Sequence, residues 1–370
     1  MDARALAALA ANPGCRRRAL LDGAGVDKGA LARALGATVA FGQSQFAHQR
    51  GNSFEARVKA DRGEELLRLL HERLRDGSAP PEPGAVATPD LTAAGPQGRT
   101  ARTSLALREA TAAGQWALLD HPMVSLDVAG SPAFLEPDAV VVHPDGSWTV
   151  IEIKSFPMVD GSADPAKVGA AARQSAVYAL ALERVAALIG DPPQAGKARV
   201  RHDVLLVCPK DFSNLPTAEL VDVRKQLAVT RRQLTRLTRI EEIAAALPEG
   251  TTFDLRLTDD GRTATRPVEE LTAAVEAVDA AYAPECLSTC ELAAHCRARS
   301  RAAGAVESLG RGVRGELGGL TTVEAVLAAA LGEAAGTRAE PTGDPAVDAL
   351  RRAAALRAEA LASPGAVTCR

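Results

Sequence analysis

The sequence predicts an α/β fold with a mixed central β-sheet flanked by helices, extended by helical segments at the N- and C-terminal ends. Three features of the chain predict it. Residues Ala139 to Val142 form an apolar, β-branched run, Trp148 to Ile153 form a second, and His143-Pro144-Asp145-Gly146 lies between them. Proline fixes φ and glycine admits the positive φ that a reversal needs, so the two runs read as a hairpin. Ala166 to Leu188 is then a long run of strong helix formers. Arg199 to Cys208 supplies a further strand. Hairpin, helix and strand in this order build a mixed sheet with helices packed on it.

Taken in order, residues 1 to about 40 read as a helical piece, and Phe41 to Leu74 as a loop followed by one amphipathic helix. Asp76 to Gln97, rich in Pro, Gly and Ala, reads as a flexible loop or linker, and Thr100 to Ala113 as a short helix. Gln115 to Val124 opens like a strand and is interrupted at His121-Pro122. Ala218 to Leu247 reads as helical, with Leu227, Leu234 and Leu237 on its apolar side. Thr252 to Leu257 reads as an edge strand, and Pro267 to Ala281 as a helix leading into a cysteine-rich segment. Beyond Ser300 the chain is Ala- and Gly-rich, with a break at Pro341-Thr342-Gly343 and a final helix over Asp344 to Ala362. The expected organisation is a helical part over 1–75, a loop and short helix over 76–114, a core over 115–260, a cysteine segment over 261–300 and a helical tail over 301–370.

The chain is 46% hydrophobic but only 3% aromatic, so its core must rely on Leu, Val and Ala, and base stacking on many rings is not expected. Net charge is −3, so capture of a polyanion must be local. Arg224, Lys225, Arg231, Arg232, Arg236 and Arg239 form one basic run, either a nucleic-acid contact or a solvated helix face. No apolar run reaches the roughly 18 residues that a membrane helix needs. Residues 1 to 20 mix alanines with charges, including Arg16, Arg17 and Arg18, unlike a secretory leader. A cytoplasmic protein with no membrane partner is the expectation. Phosphate-loop, zinc-protease and nucleophile-elbow motifs are absent from the sequence.

The chemistry concentrates at Pro137-Asp138 and, fourteen residues beyond that Asp, at Glu152-Ile153-Lys154. Side chains alternate along a strand, so Ile151 and Ile153 point one way and Glu152 and Lys154 the other, beside Asp138 on the neighbouring strand. Two carboxylates suit Mg²⁺ or Mn²⁺. Such an ion polarises a phosphoryl oxygen and acidifies water, while Lys154 would orient that water or balance charge in the transition state. An exposed ion pair on a surface hairpin is the bland alternative. Gln174 and Tyr178, four residues apart, share one helix face.

Asp138, then Glu152-x-Lys154, then Gln174-x-x-x-Tyr178 together resemble the PD-(D/E)XK nuclease superfamily in its RecB-like branch. The resemblance implies a restriction-endonuclease-like core in which Asp138, Glu152 and the Ile153 carbonyl hold the metal. Lys154 then assists the water, and the Gln174–Tyr178 helix contacts the DNA strand. Many members carry Gly-x-x-x-His upstream; here Gly51-x-x-x-Glu55 puts a carboxylate at that position. Glu55 is therefore expected as a supporting ligand, with His48 a further candidate, unless Glu55 simply pairs with Lys59 one turn on. Arg50 reads as a phosphate contact or a solvated residue.

Of six cysteines, three cluster as Cys286-x3-Cys290-x5-Cys296. An intracellular chain rarely uses such thiols as disulfides, so a metal centre is the better account. AddB-type and CRISPR-associated iron–sulfur exonucleases, a subset of the same branch, hold a [4Fe–4S] cluster with one early and three late cysteines. That resemblance implies Cys15, Cys286, Cys290 and Cys296 as ligands and an iron–sulfur staple. The family's first gap is two residues, whereas here it is three. Zn²⁺, with His295 replacing one thiolate, stays open. Cys208 reads as a buried small hydrophobe and Cys369 as a terminal thiol.

The resemblance spans Cys15 to Cys296 and implies a metal-dependent DNA nuclease, an exonuclease on linear single- or double-stranded DNA. It would act in repair, recombination or anti-phage defence beside a separate helicase or ATPase. The alternative is a catalytically silent DNA-binding subunit of such a complex. From the sequence, Lys154→Ala is expected to abolish cleavage and leave folding nearly intact.

Overall fold

A computed structural model of the chain describes all residues except 38–44, 76, 78, 83, 190–198, 260–262, 333–342 and 363–370. In chain order the helices α1 (Ala3–Ala11), α2 (Arg16–Gly23), α3 (Lys28–Ala34), α4 (Gln45–Val58), α5 (Ala60–Leu74) and α6 (Gly95–Ala113) come first. Strands β1 (Ala117–Asp120), β2 (Val124–Val128), β3 (Ser131–Leu135), β4 (Ala139–Val142) and β5 (Ser147–Ile153) follow. Then come α7 (Pro165–Ile189), β6 (Arg199–Val200), β7 (Asp203–Pro209), β8 (Pro216–Asp222), α8 (Arg224–Leu234) and α9 (Ile240–Ala245). The remaining helices are α10 (Val268–Glu276), α11 (Ala293–Ala302), α12 (Arg311–Glu316), α13 (Val323–Leu331) and α14 (Pro345–Ala362). The chain divides into two compact units, one of Met1–Val26 with Gly42–Leu247 and one of Asp27–Phe41 with Pro248–Arg370.

In the first unit a mixed sheet runs in the order β1-β4-β5-β7-β8, with short β6 also paired to β5. The expected hairpin is present: β4 and β5 are antiparallel, Ala139 opposite Ile151 and Val142 opposite Trp148. β5 and β7 are parallel, Glu152 opposite Leu206, and a parallel neighbour requires a crossover, which α7 provides. All seven residues of β5 are buried, as befits a central strand covered on both faces. On one face Ile151, Ile153, Leu205 and Val207 pack with Phe54 and Val58 of α4 and Leu66 and Leu70 of α5. On the other, Leu206 and Cys208 pack with Met158 and with Ala171 of α7. Trp148 is fully buried and its indole N–H donates to Thr111 Oγ1 of α6 at 2.9 Å, which spares a core donor the cost of going unpaired.

Elsewhere the structure corrects the expected elements. Beyond the His121-Pro122 interruption the chain forms a second, two-stranded sheet of β2 and β3, Val128 opposite Ser131. Ala129 (φ 54°) and Gly130 (φ 79°) make the turn, and two successive positive φ values match the twist of a two-residue hairpin. The run expected to be helical from Ala218 instead opens as β8, an edge strand that pairs with β7 along its whole length. Pro216 and Pro209 sit at its end, where no inner ladder bond is lost. Arg199 to Cys208 divides into β6 and β7, while Thr252 to Leu257 forms only an isolated bridge, Leu257 with Ala264. The Pro-rich stretch before α6 is anchored rather than free: Val86 and Leu91 are buried, and Ala87 exchanges hydrogen bonds with Trp116 and Leu118.

The single helix expected to end at Leu74 is two helices. Asp61, Arg62 and Gly63 all take positive φ and break it. At Gly63 (φ 75°) a Cβ would also come within 2.4 Å of Leu118 Cδ2. Gly63→Ala is therefore expected to destabilise the first unit by about 1–3 kcal/mol, from backbone strain and the clash together. Urea titration reports it as a lower midpoint with an unchanged slope.

The second unit is helical, with α3 and α10 in contact and α13 packed on α14. Residues 341 and 342 of the expected Pro-Thr-Gly break lie outside the described residues. Among the described residues no helix is long and apolar enough to cross a membrane.

Candidate active site

β4 begins one residue after Asp138, and β5 ends at Ile153, one residue before Lys154. Asp138 Oδ2 accepts the Ile153 N–H at 2.6 Å, which ties the two strand ends together. Glu152 has 0% of its surface exposed, and its Oε2 has no hydrogen-bond partner. Its charge is opposed by an ion pair with the Lys154 ammonium. Burial pushes the Glu152 carboxyl up to about 7, with Lys154 opposing and the Asp138 charge reinforcing the shift. Burial also raises Asp138, against the pull of Lys154. For Lys154 burial disfavours the ammonium, yet Glu152 and Asp138 hold it protonated and raise it above the usual lysine range.

The Gln174–Tyr178 pair reaches this site through the backbone. Tyr178 is buried in α7 and its hydroxyl donates to the Glu136 carbonyl at 3.1 Å, two residues before Asp138. Gln174 Nε2 in turn donates to the Tyr178 hydroxyl at 3.0 Å. Desolvation, with the nearby Glu152 charge, raises the Tyr178 phenol and keeps it a donor. In this arrangement the pair holds the loop that carries Asp138.

A second group of charges lies on the α4 side. Lys59 Nζ donates to Glu55 Oε1 at 2.6 Å, to Asp120 Oδ1 at 2.7 Å and to the Asp138 carbonyl at 2.7 Å. His121 Nε2 is 3.0 Å from Glu55 Oε1 and 3.0 Å from Lys59 Nζ. The hydrogen bond from His121 depresses the Glu55 carboxyl to about 2, with burial opposing and Lys59 adding to the depression. The same bond raises the His121 imidazole. Arg99 pairs with Glu136 at 2.7 Å and donates to the His121 carbonyl at 3.0 Å. The Glu55–Lys59 pairing foreseen as the bland alternative is thus present. Asp120 and His121 were missed: the β1–β4 register sets Asp120 opposite Ala139, and only that long-range pairing brings them to Asp138. The His48 side chain lies outside the described residues, and Arg50 is exposed.

The basic run splits between elements. Arg224 pairs with Asp222, Arg231 with Glu183 and Arg239 with Glu241, so half of its charges are met by carboxylates. This favours the solvated-face account over a dedicated polyanion surface.

Among the cysteines, Cys15 is buried just before α2, in the first unit. The other three expected ligands belong to the second unit. Cys290 N donates to the Cys286 carbonyl at 2.8 Å, so these two are one turn apart, and Cys296 lies in α11. His295 stands 3.9 Å from Glu276. Cys208 is fully buried in β7, where desolvation pushes its thiol up to about 12, consistent with a small core residue. Cys369 lies outside the described residues. Among the described residues, no three His, Cys, Asp or Glu side chains converge as a ready metal cage. Two observations nevertheless fit metals: the orphaned Glu152 Oε2 near the Asp138 charge suits a hard cation, and three thiols within eleven residues suit a soft one. No protein-family model, curated protein or solved structure matches this chain.

Proposed function

We propose that the chain is a metal-dependent DNA nuclease of the PD-(D/E)XK kind. The observation that carries the proposal is Glu152: a fully buried carboxylate whose Oε1 is ion-paired to Lys154, whose Oε2 has no hydrogen-bond partner, and whose charge lies near that of Asp138. Burying a carboxylate that keeps one oxygen unsatisfied is costly even with an ion-pair partner, so a fold that keeps one at two strand ends has a use for it. Asp138 and Glu152, with the Ile153 carbonyl, are the residues that would hold Mg²⁺ or Mn²⁺. A divalent ion there supplies Lewis acidity toward a phosphoryl oxygen and acidifies water. Lys154 orients the attacking water and opposes charge that develops on the phosphate. Tyr178 and Gln174 keep the Asp138 loop in place through the Glu136 carbonyl. The substrate is linear DNA, and a separate helicase would supply single strands.

The test is digestion of end-labelled linear DNA by the full chain with Mg²⁺ or Mn²⁺, alongside Asp138→Asn. Cleavage that is lost in the variant supports the nuclease. A folded wild type that binds DNA without cutting it overturns the nuclease in favour of a silent DNA-binding subunit.

Cys286, Cys290 and Cys296 are proposed as thiolate ligands of an iron–sulfur cluster, with zinc as the alternative. Cys290→Ala is expected to lose the brown chromophore and bound iron, measured by absorbance and elemental analysis of anaerobically prepared protein. A colourless wild type with stoichiometric zinc would overturn the cluster.

A further inference from the structure

We propose that Lys59 is a built-in cation. Its ammonium permanently fills a position formed by Glu55, Asp120 and the Asp138 carbonyl, so that the acid pair works with one exchangeable divalent ion. This rests on Asp138 and Glu152 being a metal-binding pair.

An ammonium has three N–H donors and no acceptor. Lys59 meets three oxygens, at 2.6, 2.7 and 2.7 Å, each from a different element: α4, the end of β1 and the residue preceding β4. Three donors match these three oxygens, His121 Nε2 is a fourth neighbour at 3.0 Å, and the Lys59 side chain is 12% exposed. Two carboxylates and a carbonyl, with the His121 imidazole beside them, surround this point charge on the side away from solvent and are donors of the sort a divalent ion takes. The occupant here is covalently tethered, so it cannot dissociate, and a free ion could enter only by displacing it.

The consequence for the acid pair runs through Asp138. Lys59 grips its backbone carbonyl, and the Ile153 N–H grips one carboxylate oxygen. Both ends of this residue are therefore set before any exchangeable ion arrives. Glu55 acts through Lys59: its Oε1 is taken by the ammonium and by His121. Lys59 is a positioning residue in this scheme, and it also supplies the second positive charge that a two-ion site would otherwise draw from solution.

The experiment is to count Mn²⁺ bound per chain, from loss of the free-ion electron paramagnetic resonance signal. The proteins are wild type, Lys59→Ala and Lys59→Ala/Asp120→Ala, each checked for native circular dichroism. One ion is expected in wild type, two in Lys59→Ala, and one again in the double variant. Two ions in wild type, or no gain in Lys59→Ala, would overturn the proposal. Should Lys59→Ala fail to fold, Lys59→Gln removes the charge while keeping two donors, and is scored in the same way. Wild type that binds no Mn²⁺ would sink the acid-pair reading alone if Lys59→Ala then gains one ion that the double variant loses. Absence of binding in every protein overturns both.

Discussion

Lys154→Ala is expected to lower DNA cleavage by roughly 10²–10⁴-fold, the range for losing a positioned proton-transfer or charge-stabilising group. The structure adds a cost that the sequence did not suggest. Lys154 is the ion-pair partner of a carboxylate with no other polar contact, so its removal leaves Glu152 buried and unopposed. Breaking one side of a buried pair typically costs about 3–5 kcal/mol. The expectation of nearly intact folding is therefore revised: the variant should melt well below wild type, and the gap should narrow at acid pH as Glu152 takes up a proton. Melting curves at pH 5 and pH 8 check this. Equal melting temperatures at both pH values would mean that the pair is more solvated than the structure has it, and undiminished cleavage would remove Lys154 from the mechanism.

Glu152→Gln separates the metal role from the burial cost. Cleavage should fall by at least roughly 10²–10³-fold, because the neutral amide is a poor ligand for a hard cation. The stability effect has a definite sign. Glu152 has its folded-state pKa raised from 4.5 to about 7, so between those values the native protein holds a proton that the unfolded chain releases. The Glu152 contribution to stability without metal should therefore be fully present below about pH 4.5 and be lost as pH rises through about 7. Glutamine does not titrate, so this component of the decline should vanish in the variant. Adding Mn²⁺ should restore stability at pH 8 in wild type and not in Glu152→Gln. Urea titrations across pH, with and without Mn²⁺, measure both; a variant with the wild-type pH slope would show that another group sets it.

Much of this site was legible because its logic is local. The β4–β5 hairpin follows from two β-branched runs around Pro144-Asp145-Gly146, and it emerges with the expected β4 bounds. The alternation of β5 alone sets Glu152 and Lys154 on one face, and α7 matches its helix-forming run to within a residue at each end. Where local signals were weak, expectation failed. Three consecutive positive φ values at Asp61 to Gly63 leave no strong mark in a sequence that otherwise reads as helix. β8 carries no strand signal of its own, because an edge strand with one solvated side lacks a long apolar run.

By itself, then, the sequence determined which residue types stand at the ends of β4 and β5, and that one carboxylate and one amine share a face. Those are consequences of strand geometry within about twenty residues. Tertiary structure decided that Glu152 is wholly desolvated, because that requires a sheet covered on both sides. It alone decided that Tyr178 bonds the Glu136 carbonyl, and that Lys59 meets Asp120 and Asp138 across separations of 61 and 79 residues. Strand register and helix docking fix such contacts only once the whole sheet has formed, so no local pattern in the chain can announce them.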